Sequence, residues 1–139
     1  MSDEFRLPIG EVIDKRWQLN KLLGAGAFGA VYEVIDLADV NRPTYALKLE
    51  KNNLKDRSMN LLKLEVTVLR YLREAKAKHC PGYVSCGQAP QYNFVVMGLV
   101  GKSVSETRKM MPNRRFTLRT CLHIGIEGVK SIDEIHQVG

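Results

Sequence analysis

A chain of 139 residues, 45% apolar and 26% charged, can bury one modest core, so a single compact unit is the starting expectation. Lys and Arg number 21 against 15 Asp and Glu, but the +6 excess is spread out: Met110, Met111 and Pro112 interrupt the stretch from Arg108 to Arg115, so nucleic acid is not an expected partner. No apolar run approaches the ~18 residues that cross a bilayer, and Met1 to Arg6 lacks the apolar segment of a secretory leader, so no membrane is expected and the chain reads as cytoplasmic or nuclear.

The segment Trp17 to Leu23 mixes Leu19, Leu22 and Leu23 with Gln18, Asn20 and Lys21, which suits a strand with one wet face. A glycine cluster comes next. From Ala30 to Asp36 the chain is rich in β-branched and aromatic residues and reads as a second strand leaving the same turn. Asp39 to Pro43 carries turn residues, and Thr44 to Glu50 is a third strand with Tyr45 and Leu47 on one face and Ala46 and Lys48 on the other. A polar connection from Lys51 to Ser58 leads to a helix over Met59 to Ala75, where Leu61, Leu62, Val68, Leu69 and Leu72 recur at helical spacing.

After this helix, Pro81 and Gly82 form a break, and Tyr83 to Cys86 and Tyr92 to Leu99 read as two further strands joined by a turn at Gly87 to Gln91. Cys80, Cys86 and Cys121 are odd in number and share no CxxC spacing, so reduced thiols are expected. His79 beside Cys80 supplies too few ligands for a metal. A short helix is expected over Ser103 to Met111, and a longer one from Leu118 through Leu122, Ile126, Val129 and Ile132 to Ile135, ending near Gly139.

Gly24, Gly26 and Gly29 form GxGxxG followed by Val31, a pattern that lets backbone amides approach phosphates without Cβ interference. Alone it is weak evidence. A turn that holds no ligand has the same glycines, and a dinucleotide-binding βαβ unit is a rival, because Glu50 lies where a ribose-binding acid would be expected. That rival needs a buried strand before the glycines and a helix after them. Asn20 and Lys21 interrupt the first, and the β-branched run Val31 to Ile35 disfavours the second. Lys48 shares the inward face of its strand with Ala46, and a lysine there needs a partner or an anion. In the helix, Leu61, Glu65, Val68 and Leu72 fall on one side, which turns Glu65 inward and makes an ion pair with Lys48 the expectation.

A glycine hairpin, a strand lysine and a helix glutamate in this order resemble the small lobe of a protein kinase. Within that superfamily the chain is similar to the casein kinase I group, closest to the tau tubulin kinase branch. The resemblance is carried by Leu23 to Tyr32, by Ala46-Leu47-Lys48-Leu49-Glu50, by Leu62 to Val66 with Val68-Leu69, and by Tyr92-Asn93-Phe94-Val95-Val96-Met97. It covers about Trp17 to Gly139 and implies an α+β fold: a five-stranded antiparallel sheet with one αC-type helix, followed by the first helices of a truncated helical large lobe. The implied division is 1–16 as an extension, 17–100 as small lobe and hinge, and 101–139 as the start of the large lobe.

The resemblance also implies that Gly24, Ala25, Gly26 and Gly29 cover the phosphates of ATP, with Phe28 at the loop tip and Val31 above the adenine. Lys48 would hold the α and β phosphates, and Glu65 would orient it. Ala46 would roof the adenine, Met97 would be the gatekeeper, and Gly98, Leu99 and Val100 would form the hinge, with Val100 donating an amide to the base. At Gly98 the casein kinase I pattern often has a larger polar residue. In the family, the segment resembling Ser131 to Gly139 runs into the His-Arg-Asp and Asn of the catalytic loop and then the Asp-Phe-Gly that binds magnesium. The expectation is therefore a part of a Ser/Thr kinase, inactive by itself, whose magnesium arrives on the nucleotide and whose complete domain takes a protein Ser or Thr as acceptor. A small pseudokinase that binds nucleotide or a partner is the alternative. Asp133 and Glu134 read as helix surface, and Asp14, Asp36 and Asp39 as strand-end and turn residues.

Overall fold

The computed structural model describes residues 5–26, 29–52 and 61–139. Six strands form one sheet: β1 (Val12–Ile13), β2 (Trp17–Gly26), β3 (Gly29–Asp36), β4 (Thr44–Lys51), β5 (Tyr83–Gln88) and β6 (Tyr92–Gly98). Their order is β1-β2-β3-β4-β6-β5, and every neighbouring pair is antiparallel. Helix α1 (Leu61–Glu74) lies between β4 and β5 in the chain. Helix α2 (Val104–Met110), a 3-10 turn (Pro112–Arg114) and helix α3 (Leu118–Gln137) come after the sheet.

The alternation in β3 explains the main core. Ala30, Tyr32 and Val34 point to one face, where they meet Trp17, Leu19, Leu47, Leu49, Phe94 and Val96. Asp36 ends the same inward series and is 2% exposed. It is tolerated because Arg16 donates from Nε and Nη2 to its two oxygens at 2.8 and 2.7 Å, and the Ala38 amide donates at 3.0 Å. The Arg16 hydrogen bonds hold this carboxyl below its usual range. Asp36 is thus a structural group at the end of a strand, and its oxygens are committed.

The five expected strands are present, and β1 adds a sixth that propensity does not announce. Its hairpin to β2 turns on Asp14 and Lys15, both at positive φ (53° and 56°), and Arg16 N–H donates to the Ile13 carbonyl at 3.1 Å. Such mirror-image turns usually carry Asn or Gly, and Lys15 gives no such signal. Residues before it also pack on the sheet: the Leu7 amide donates to Tyr32 Oη at 2.9 Å, and Tyr32 Oη donates to the Leu7 carbonyl at 3.0 Å.

Helix α1 covers the other face of the sheet. Its buried residues are Leu62, Leu69 and Leu72, with Leu62 and Leu69 against Val95, while Leu61 is exposed. The inward stripe is therefore Leu62, Glu65, Leu69 and Leu72, with Leu62 and Leu69 in place of the Leu61 and Val68 expected from the sequence. Glu65 belongs to both, because residues three or four apart share a face. Helix α2 starts at Ser103 with a reciprocal capping box to Glu106.

Helix α3 turns an unexpected side inward. Its half-buried positions are Ile124, Glu127, Ser131 and Glu134, with Val138 at its C-terminal cap, and no residue of the helix is buried. The apolar series Leu118, Leu122, Ile126, Val129, Ile132 and Ile135 is exposed among the described residues, as its periodicity without a facing partner suggests.

Candidate functional site

Several of the expected site residues lie on the α1 side of the sheet. Residues directly opposite in an antiparallel pair share a face. Val31 lies opposite Lys48, Lys48 opposite Val95, and Ala46 opposite Met97, so Val31, Ala46, Lys48, Val95 and Met97 form one patch across β3, β4 and β6. Gly24 pairs with Val31 at its edge. Lys48 Nζ donates to Glu65 Oε2 at 2.5 Å, which joins the sheet to α1. The two side chains are 39% and 33% exposed. At that exposure an ion pair contributes at most about 1 kcal/mol to stability, so its consequence is geometric: the ammonium is fixed in place with an open side.

The glycines divide into two kinds. Around Gly24 and Gly26 a Cβ would meet nothing within 4 Å, so these positions border open space beside the patch. Gly29 instead has φ +149°, and a Cβ there would come within 1.8 Å of the Leu49 carbonyl oxygen. It is required by the close approach of β3 to β4. Gly29→Ala is expected to cost on the order of 3 kcal/mol through strain and the displaced β4 carbonyl. Gly24→Ala should cost far less in stability, and denaturant unfolding of the two variants checks the contrast. Ala25 lies in β2 opposite Ala30, whereas Phe28 falls outside the described residues.

At the far end of the patch, β6 stops at Gly98. The Gly98 amide donates to the Gly82 carbonyl at 2.8 Å, which leaves it no free donor. Leu99 and Val100 continue without regular structure and are exposed, and their amides make no hydrogen bond to the described residues. An amide that can pair with a ligand at this end is thus available on Leu99 or Val100.

The dinucleotide rival does not fit. The chain enters a strand, not a helix, after the glycines, and the described sheet has no parallel pair. Glu50, the residue in the ribose-binding position of that rival, accepts the Leu62 amide at 3.2 Å in the first described turn of α1.

Sequence reasoning missed one polar cluster. Glu134, expected on the helix surface, takes hydrogen bonds from the amides of Lys78 and His79 and lies against the His79 ring, whose other nitrogen meets Glu127. These partners are 48 to 56 residues apart, and nothing periodic announces such a contact. Each ring nitrogen of His79 lies within hydrogen-bond distance of a carboxylate.

No family model matches the chain. A probable serine/threonine-protein kinase of Dictyostelium discoideum is 32% identical over 133 residues, covering 94% of this chain and 25% of the relative. A serine/threonine-protein kinase of Caenorhabditis elegans, spe-6, is 30% identical over 126 residues, covering 91% and 32%. A casein kinase I homolog of Kluyveromyces lactis is 24% identical over 125 residues, covering 90% and 22%. Among solved structures, the crystal structure of a kinase domain superposes with a TM-score of 0.79 over 96% of this chain and 38% of its own, at 18% identity. The chain's homologues are thus Ser/Thr protein kinases, and its fold matches the N-terminal part of a kinase domain. Its sheet and α1 have the fold of a kinase small lobe, and α2 and α3 are the first helices beyond it. It spans about a quarter to a third of the length of the Dictyostelium and Caenorhabditis kinases.

Proposed function

We propose that this chain is the ATP-binding portion of a Ser/Thr protein kinase of the casein kinase I group. The observation that carries the reading is the Lys48–Glu65 pair, held beside open space at Gly24 and Gly26 and next to the apolar patch of Val31, Ala46 and Met97. Residues 17–100 would form the small lobe and hinge, and 101–139 the beginning of the large lobe.

The parts fit a purine nucleotide in one orientation. The adenine would lie between Val31 and Ala46, with Met97 behind it and the Val100 amide paired to its edge. The triphosphate would run under the hairpin, where the backbone of Gly24 to Gly26 can approach without side-chain interference. Lys48 would meet the α and β phosphates as a point charge, and Glu65 would keep its ammonium from following other anions. Mg2+ would ride on the phosphates and neutralise charge there. Positioning of this kind is the small lobe's share of phosphoryl transfer, and a complete domain would bring the Ser or Thr hydroxyl to the γ-phosphate.

A protein that carries these residues within a complete kinase domain should phosphorylate Ser and Thr of an acidic protein such as casein with magnesium ATP. The polypeptide of residues 1–139 should bind the nucleotide without transferring phosphate. Phosphoamino-acid analysis that finds only phosphotyrosine, or transfer by the 139-residue polypeptide free of contaminating kinase, would contradict the reading.

A further inference from the structure

Helix α3 meets the small lobe through polar groups, and they centre on His79. The imidazole lies in the connection between α1 and β5, half-buried, with Nδ1 2.8 Å from Glu134 Oε1 and Nε2 2.8 Å from Glu127 Oε2. The amides of Lys78 and His79 donate to Glu134 at 3.1 and 2.9 Å, and Ser131 Oγ donates to the His79 carbonyl at 3.2 Å. A neutral imidazole has one N–H. With an ionised carboxylate on each nitrogen, one would face a lone pair, so the doubly protonated ring is the form that satisfies both contacts.

The connection is tied to both ends of the proposed nucleotide site. On one side it leaves α1, which carries Glu65, through the bonds from Ala75 N to Tyr71 O and from Ala77 N to Leu72 O at 2.8 and 2.9 Å. On the other side Gly82 accepts the Gly98 amide. No residue of α3 is fully buried, so these polar groups are the specific ties between the helix and the connection.

We infer that His79 is a positioning residue: as an imidazolium between Glu127 and Glu134 it latches α3 to the α1–β5 connection, and its deprotonation releases that latch and loosens Gly98. The latch itself stands on the geometry alone, and only its effect on nucleotide rests on the proposed function. The groups facing the ring are Glu127 and Glu134, with Lys130 on the same helix donating to Glu127 Oε1 at 2.7 Å. Lys78 and Cys80 flank it in the chain, and among the described residues no α1 side chain makes a hydrogen bond or ion pair with it.

The pH effect has a definite direction. The hydrogen bond to Glu134 leads the causes that raise His79 above 6.5, so its contribution is complete below 6.5 and is lost as pH rises through the raised value. Glu134 is lowered to about 2, first by His79, so its contribution is present above 4.5 and is lost only as pH falls towards 2. The latch is closed between these limits and opens on the alkaline side.

The test needs no nucleotide. In the full chain, the His79 ring nitrogen shifts and the amide hydrogen exchange of Lys78, His79 and Gly98 are followed by NMR as pH is raised, with intrinsic exchange rates corrected for. Both ring nitrogens should be protonated at pH 6.5, where the unfolded chain is half-protonated. Protection of the three amides should fall through the His79 titration, by about tenfold for each unit by which its midpoint exceeds the unfolded value. His79→Arg, which offers N–H donors to both carboxylates at every pH used, should keep the amides protected throughout. Titration at or below 6.5, protection indifferent to the titration, or loss of protection in H79R along the wild-type curve would each overturn the inference. Should H79R fail to fold, the wild-type titration and exchange curves decide alone.

Discussion

Lys48→Met is expected to remove the thermal stabilisation that magnesium ATP gives the protein, and in a complete kinase domain to lower phosphoryl transfer by roughly 10²–10³-fold. Function and fold separate at this residue. Lys48 and Glu65 are each more than 30% exposed, so losing their pair should change stability by no more than about 1 kcal/mol. The methionine keeps the stem that lies on β4 and removes only the fixed charge. Glu65→Gln should act in the same direction with a smaller effect, since the ammonium remains but is no longer directed. Denaturant unfolding run beside nucleotide titration distinguishes the outcomes. A K48M protein that binds nucleotide like the wild type would mean that the ion pair is only a strut between β4 and α1.

The second large effect concerns α3. Leu122, Ile126, Val129 and Ile132 lie along one side of the helix with more than half of their surface exposed. Each such side chain gains about 1.5–3 kcal/mol when fully covered, and contiguous apolar patches of a few hundred Å² promote association. The polypeptide of residues 1–139 should therefore self-associate at micromolar concentration or require a chaperone. Leu122→Glu with Val129→Glu should shift it to monomer while leaving the sheet intact, since neither residue touches the core clusters. Sedimentation of both proteins, with circular dichroism as the control for folding, gives the answer. A monomeric wild-type polypeptide with a sharp cooperative transition would refute the expectation.

Much of the architecture is legible in the sequence because it depends on local chemistry. The β-branched run of β3 specifies a strand after the glycines, and that alone separates a hairpin from a dinucleotide fold. Lys48 and Glu65 each stand out as a charge on an inward-facing position, and two such charges in adjoining elements imply each other. What escapes is set by other forces. Sequence periodicity places Leu61 and Val68 on the inward stripe of α1 because Leu62 and Leu69 beside them are apolar too, and only the sheet decides which is covered.

Strand β1 is hidden by a turn with a lysine at positive φ. Gly29 resembles Gly24 and Gly26 in the motif, yet it answers to the β4 backbone rather than to open space. The His79 cluster is invisible because polar contacts made 48 or more residues apart leave no period in the sequence. The same reason hides the use of Asp36 by Arg16, 20 residues earlier.

The central claim is that the face bounded by Gly24, Gly26, Lys48 and Glu65 holds ATP. It is tested most directly by recording backbone amide shifts of the isotopically labelled protein as a non-hydrolysable magnesium ATP analogue is added. Saturable shifts are expected at Gly24, Ala25, Gly26, Lys48 and Leu99 or Val100, absent in K48M, with no displacement by a nicotinamide dinucleotide at equal concentration. Shifts confined to other surfaces, or a dinucleotide that displaces the ATP analogue, would contradict the claim.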